Sequence, residues 1–227
     1  MHLYETHLHT FPVSKCATAE VAEVVNFYKN LGYSGIFITN HFLDGNINID
    51  RELPYEEKIE FYFSDYEKAK KLGAEIGLDV FFGAELSYKG TDFLVYGLEK
   101  EWFLAHPEII RMSKTEELTL MASSGALIIQ AHPFREAAYI DHIRLFPRHV
   151  HGVEMYNANR SDFENGMAKS YAKSYSLLTF AGSDNHRGST QKKLGGVKFS
   201  SRIDSEYDFV EKIKSGDYKI FRKELGE

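Results

Sequence analysis

Apolar residues recur along this chain in short, dense runs separated by longer stretches of helical period. Gly35-Ile36-Phe37-Ile38-Thr39, Asp79-Val80-Phe81-Phe82-Gly83-Ala84 and Ala126-Leu127-Ile128-Ile129-Gln130 are too short for helices. Such runs predict strands buried on both faces, as in a parallel sheet. Residues 2–8, 92–96, 152–156 and 177–181 read as further strands. Between them, Val21, Val24, Val25 and Tyr28 form one apolar face, with Thr18 as the cap and Leu31-Gly32 as the end. Pro54 opens a long helix to about Gly77, after a loop over 44–53. Helices are also predicted over 107–123 and 161–175, with a last one from Asp204 to about Lys214 and a charged tail.

Strand and helix thus alternate, which means parallel strands joined by helical crossovers. About seven strands fit a barrel better than an open sheet. The expected fold class is α/β, as one domain spanning 1–227. Six chemistry-bearing side chains fall at or just beyond predicted strand ends: His9, His41, Glu85, His132, Asp184 and His186. In a βα-barrel the C-terminal strand ends form one rim, where active sites sit.

Composition narrows the setting. A chain that is 43% hydrophobic and 26% charged is globular, and its net charge of -6 disfavours nucleic acid and anionic membrane surfaces as partners. A phosphorylated substrate stays compatible, because bound cations reverse the local field. Cys16 is the only cysteine, so an intramolecular disulfide is impossible and a cytoplasmic setting is expected. No signal peptide is recognised, and no apolar stretch approaches the roughly 20 residues that span a bilayer.

His7 and His9 are two residues apart, so on a strand they share a face and can grip one divalent ion. Taken singly, each rim residue has a plainer use. His41 or Asp184 can cap a helix, His132 can bond to loop backbone, and Glu85 can pair with a surface lysine. Taken together they are a ligand set of imidazoles and carboxylates, which suits zinc, manganese or iron.

The motifs His7-Leu8-His9-Thr10, Thr39-Asn40-His41, Gly83-Ala84-Glu85, Ala131-His132-Pro133 and Gly182-Ser183-Asp184-Asn185-His186 occur in that order. With them the chain resembles the polymerase and histidinol phosphatase (PHP) family of metal-dependent phosphoesterases. The resemblance covers most of the chain and implies a distorted (β/α)7 TIM-like barrel with two or three divalent metal ions. It implies His7, His9, Glu85 and Asp184 for the first ion. Glu85 would bridge to a second, shared with His132 and with Asp92, which stands where many members carry a histidine. His41 and His186 would hold a third. Three departures bear on that set. Glu5 replaces the usual aspartate before the histidine pair, and Asn40 replaces the aspartate before His41. The segment 11–16 lacks the aspartate or histidine that many members use at the third ion; Cys16 is either a substitute ligand there or, the preferred reading, a buried core residue, which leaves an arrangement of two ions.

The expected reaction is hydrolysis of a small phosphomonoester, histidinol-phosphatase-like, by a hydroxide bridging two cations, with no side-chain nucleophile. Arg135, Arg160 and Arg187 are candidate phosphate clamps and Asn157 a further substrate contact. Glu154 is placed to orient either a substrate hydroxyl or a ligand imidazole. Two other readings stand beside this one. The first is a catalytically weak metal-binding module serving a partner protein. The second is a phosphodiesterase or exonuclease on short nucleotides, long nucleic acid being disfavoured for want of a basic, aromatic stripe.

Overall fold

The computed structural model describes residues 1–226. Its elements run β1 (His2–Glu5), α1 (Val21–Asn30), β2 (Gly35–Ile38), α2 (Tyr55–Ile76), β3 (Asp79–Tyr88) and β4 (Thr91–Tyr96). There follow α3 (Lys100–Ala105), α4 (Lys114–Ser123), β5 (Leu127–Ala131), β6 (Gly152–Asn157) and α5 (Asp162–Tyr175). The chain closes with β7 (Leu178–Gly182), β8 (Lys193–Phe199), α6 (Glu206–Ser215) and β9 (Lys219–Glu224).

The apolar runs are strands because both of their faces are buried. Along β2, Phe37 faces the barrel interior while Ile36 and Ile38 face the helix layer. Along β4, Leu94 and Tyr96 point in while Phe93 and Val95 pack under the helices. This two-residue alternation between two apolar environments leaves no polar face to expose. Helix α6 plugs the end of the barrel away from the histidines. Its Phe209 ring lies 4.3 Å from Phe37 and 5.2 Å from Tyr96, centroid to centroid.

All nine strands among the described residues form one sheet, in the order β7-β6-β5-β4-β3-β2-β1-β8-β9. The TIM-like α/β expectation holds, with two more strands than counted and mixed directions. β1, β2 and β3 are mutually parallel, as are β5, β6 and β7, but β4 runs antiparallel to both its neighbours. The reason is local: only Lys89 and Gly90, both with positive φ, separate β3 from β4. A two-residue turn of that shape makes a hairpin and leaves no room for a crossover helix. β8 and β9 escape a reading by pattern. β8 contains Gly195-Gly196, which lowers its strand signal, and β9 is a charged, mostly exposed edge strand. The barrel nearly closes where Gly195 backs onto β7. A side chain on Gly195 would meet the Gly182 carbonyl oxygen at 2.5 Å.

Other expectations shift with identifiable causes. β1 stops at Glu5 because that carboxylate accepts from the backbone N–H groups of Thr6 and His7, competing with the ladder. Helix α1 begins after Glu20, and Thr18 donates instead to the His186 carbonyl. The single helix expected over 107–123 is broken at Met112. Ser113 then starts α4 with a capping box to Glu116. Helix α6 is capped by Ser205, one residue past Asp204. No helix among the described residues is long and apolar enough to cross a membrane.

Candidate metal centre

The rim at the C-terminal ends of the parallel strands gathers the expected side chains. Glu85 lies at its middle, on the long β3, where His41 forms a bridge beside it. Its Oε1 is 3.1 Å from His7 Nε2 and 3.4 Å from His132 Nε2. Its Oε2 is 3.2 Å from His9 Nε2 and 2.8 Å from His41 Nδ1. Asp184 Oδ1 lies 3.5 Å from both His7 Nε2 and His9 Nε2. Three groups of donors converge closely enough to hold a cation: His7, Glu85 and His132; His7, His9 and Asp184; His9, His41 and His186.

These contacts are not hydrogen bonds. His7 Nε2, His9 Nε2, His41 Nδ1 and both Glu85 oxygens are buried with no hydrogen-bond partner among the described residues. Buried polar atoms left unpaired cost roughly 1–3 kcal/mol each. Here five of them point at shared space, which is how ligand atoms stand around a cation. The donor chemistry fits the group: imidazoles and carboxylates, with the far nitrogens of His7, His9 and His186 fixed.

That fixing follows from hydrogen bonds behind the ligands. His7 Nδ1 pairs with Glu154 Oε1 at 2.8 Å, which leaves Nε2 free to face the centre. Glu154 also accepts from the His132 backbone N–H and from Asn157. Of the two roles open to Glu154, the structure shows the imidazole one. His9 Nδ1 pairs with Ser14 Oγ at 3.1 Å, and His186 Nδ1 donates to the Asp184 carbonyl at 2.9 Å. Glu5 is fully buried, and binds Tyr28, Ser183 and the backbone ahead of His7, so it ties β1 to the Asp184 loop. Asn40 clips the Thr10–Ser14 loop through Thr10 and Ser14.

Backbone geometry makes the same point. His132 and Asp184 have φ of 24° and 52°, a region that side chains avoid. Such strain persists where surrounding contacts over-determine it, often at functional sites. Gly182 is required beneath them, since a Cβ there would lie 2.4 Å from His7 Cβ.

Burial alone would neutralise these groups, but their mutual charges outweigh it. His7 is held well above the ordinary imidazole value by Glu154, Asp184 and Glu85, against the pull of burial. His41 is raised in the same way by Glu85 and Cys16. Glu85 and Asp184 are held well below the carboxylate range by the imidazoles, again against burial.

The centre opens into a cavity of about 490 Å³ lined by His41, Glu85, Asp92, His132, Asp184 and His186. Arg135, Arg160 and Lys89 bring positive charge to its wall. Arg187 is exposed and lies outside that lining. Asn157 is fully buried with its amide committed to Glu154 and Asp184, so it backs the ligands and lies outside the cavity lining. Asp92 reaches the rim because β4 runs backwards, which sets it opposite Ala131. Its carboxylate is 3.2 Å from Arg135 and 3.9 Å from His132, outside the three converging groups. Lys89 was hidden from the sequence by its place in a hairpin turn. Cys16 is half-buried on the cavity wall and is not a core residue.

No family model matches this sequence, and no curated protein matches it. Solved structures do. A two-domain protein from Bacteroides vulgatus containing a predicted PHP-like metal-dependent phosphoesterase superposes with a TM-score of 0.71 at 13% identity. The match covers 97% of this chain and 64% of that one. A candidate metal-dependent phosphoesterase from Bifidobacterium adolescentis gives a TM-score of 0.55 at 13% identity, over 82% of this chain and 88% of that one. An amidohydrolase from Chromobacterium violaceum, with bound sulfate and no metal, gives 0.57 at 12% identity, over 96% and 97%. The fold is therefore that of the PHP-like phosphoesterases. The chain spans about two thirds of the length of the Bacteroides protein, the part to which it is similar.

Proposed function

We propose that this chain is a metal-dependent hydrolase of a small phosphomonoester, with histidinol phosphate as the type of substrate. The observation that supports it is the set of five buried, unpartnered donor atoms on His7, His9, His41 and Glu85. Cations bound there supply Lewis acidity and a water whose pKa falls toward about 7. The chain's own residues do the rest. His7, His9, Glu85, His132 and Asp184 fix where the charge sits, and His41 and His186 extend it toward the cavity mouth. Arg135 and Arg160 line the same cavity and offer a fork of N–H donors to a phosphate dianion. Asp92 holds the Arg135 guanidinium at 3.2 Å and so aims it. Sulfate has the shape and charge of that phosphate group, and the Chromobacterium neighbour carries one.

The cavity suits a small ester. It is enclosed by the hairpin turn at Lys89 and Gly90 on one side and by Asn159 and Arg160 on the other. The test is release of phosphate from an aryl phosphate and from histidinol phosphate, with added manganese or zinc, and its loss with chelator. Turnover of dinucleotides but not monoesters would replace this reading with a phosphodiesterase. Tight metal binding without turnover of any phosphoester would replace it with a binding module.

A further inference from the structure

We propose that Cys16 is a thiolate ligand of the cation held by His41 and His186, which makes that position selective for zinc-like ions. The proposal rests on the metal-centre reading above and goes beyond it in naming a donor and a preference.

Four observations place the thiol. Cys16 lines the cavity together with His41 and His186. Its backbone is tethered on either side: Lys15 N–H donates to the Asn46 carbonyl at 2.9 Å and Ala17 N–H to the Ser14 carbonyl at 3.1 Å. Thr18 N–H donates at 2.8 Å to the carbonyl of His186 itself. The loop before it is clamped by buried Asp65, which accepts from Thr10 and Val13. The backbone that carries the thiol is therefore held beside His186 by the fold.

The surroundings ask for a donor. His9 Nε2 is fully buried, unpartnered and directed into the group it forms with His41 and His186. His41 Nδ1 is likewise without a hydrogen bond. From Thr10 to Ala19 the segment contains no Asp, Glu or His, so Cys16 is its one side chain able to bind a cation strongly. His9 Nε2 is a single atom and also belongs to the group with His7 and Asp184. Where it serves that inner group, the Cys16 thiol, turned in from the cavity wall, would join His41 and His186 as a third donor and leave a fourth position open to the cavity. Three protein donors with one open position is the arrangement of catalytic zinc. Thiolate is a soft donor that favours zinc, cobalt or iron over manganese and magnesium.

Cobalt(II) titration of the metal-free protein tests this without an activity readout. Bound thiolate gives cobalt an intense near-ultraviolet charge-transfer band, while imidazole and carboxylate give only weak visible bands. The wild-type chain should show both. Cys16→Ser should lose the near-ultraviolet band, keep visible bands from the inner ions, and hold the outermost equivalent at least about 10-fold more weakly, since supporting contacts alone are worth roughly 10–100-fold. Cys16→Asp should keep that equivalent without the band and shift its preference toward manganese. Visible bands with no near-ultraviolet band in the wild type, or an unchanged band in Cys16→Ser, overturn the thiolate assignment and leave the metal centre standing. Absence of all cobalt bands overturns both.

Discussion

The two sides of the metal centre are built differently. On the inner side His7 and Glu85 are 0% and 1% exposed, and His7 leans on the carboxylate of Glu154. On the outer side His41 and His186 are 11% and 22% exposed, and His186 leans on a backbone carbonyl. A charged acceptor behind an imidazole fixes its tautomer and raises its basicity more than a neutral carbonyl does. Burial also shields the inner ligands from competing water. The difference predicts that the inner group holds a cation more tightly than the outer one.

The largest expected effect comes from removing an inner ligand. Asp184→Ala should cut kcat/KM by about 10³-fold or more, roughly 4 kcal/mol of barrier, with the far-ultraviolet circular dichroism unchanged. Near-wild-type turnover would remove Asp184 from the machinery.

Next is the support behind His7. Glu154→Gln keeps the shape but loses the charge, and should weaken the tightest cation by roughly 10–100-fold, read by competition with a chelator. His186→Ala should instead strip one equivalent of metal and leave the tightest affinity unchanged. Equal losses in the two variants would erase the inner–outer distinction.

A pH series sharpens it further. In the metal-free chain His7 and His41 have protonation values above the ordinary 6.5, raised by neighbouring carboxylates against burial. The stability this pairing gives is fully present below 6.5 and is lost as pH rises through the raised values. A cation must displace those protons. Metal affinity should therefore climb with pH through and beyond 6.5 and level off only above the raised values, with protons released on binding, measurable by calorimetry in buffers of different ionisation enthalpy. Affinity flat across that window would refute the protonated metal-free state.

The smallest effects separate the arginines. Arg135→Ala should raise KM for a phosphomonoester by about 10-fold with kcat changed less, since the guanidinium lines the cavity. Arg187→Ala should change neither constant by more than about twofold, as expected of an exposed side chain away from the site.

Much of this was legible in the chain itself. The apolar runs marked seven of the nine strands because a strand buried on both faces has nothing polar to show. The histidines and acids at their ends followed, since strand ends on one rim converge. Asn157, Arg187 and Cys16 were not legible. Asn157 ends β6 with its amide turned to Glu154 and Asp184, and Cys16 sits on a loop whose path is set by distant hydrogen bonds to Asn46 and His186.

The order of apolar and polar residues determined that this chain makes an α/β barrel with imidazoles and carboxylates at one mouth. Periodicity and turn chemistry act between neighbours, so they are written in the sequence. Only the tertiary structure decided which side chains converge on the centre, which brace them and which look into the cavity. Those choices depend on ångström-scale contacts between segments far apart in the chain, such as Glu154 behind His7 and the Thr18 N–H on the His186 carbonyl.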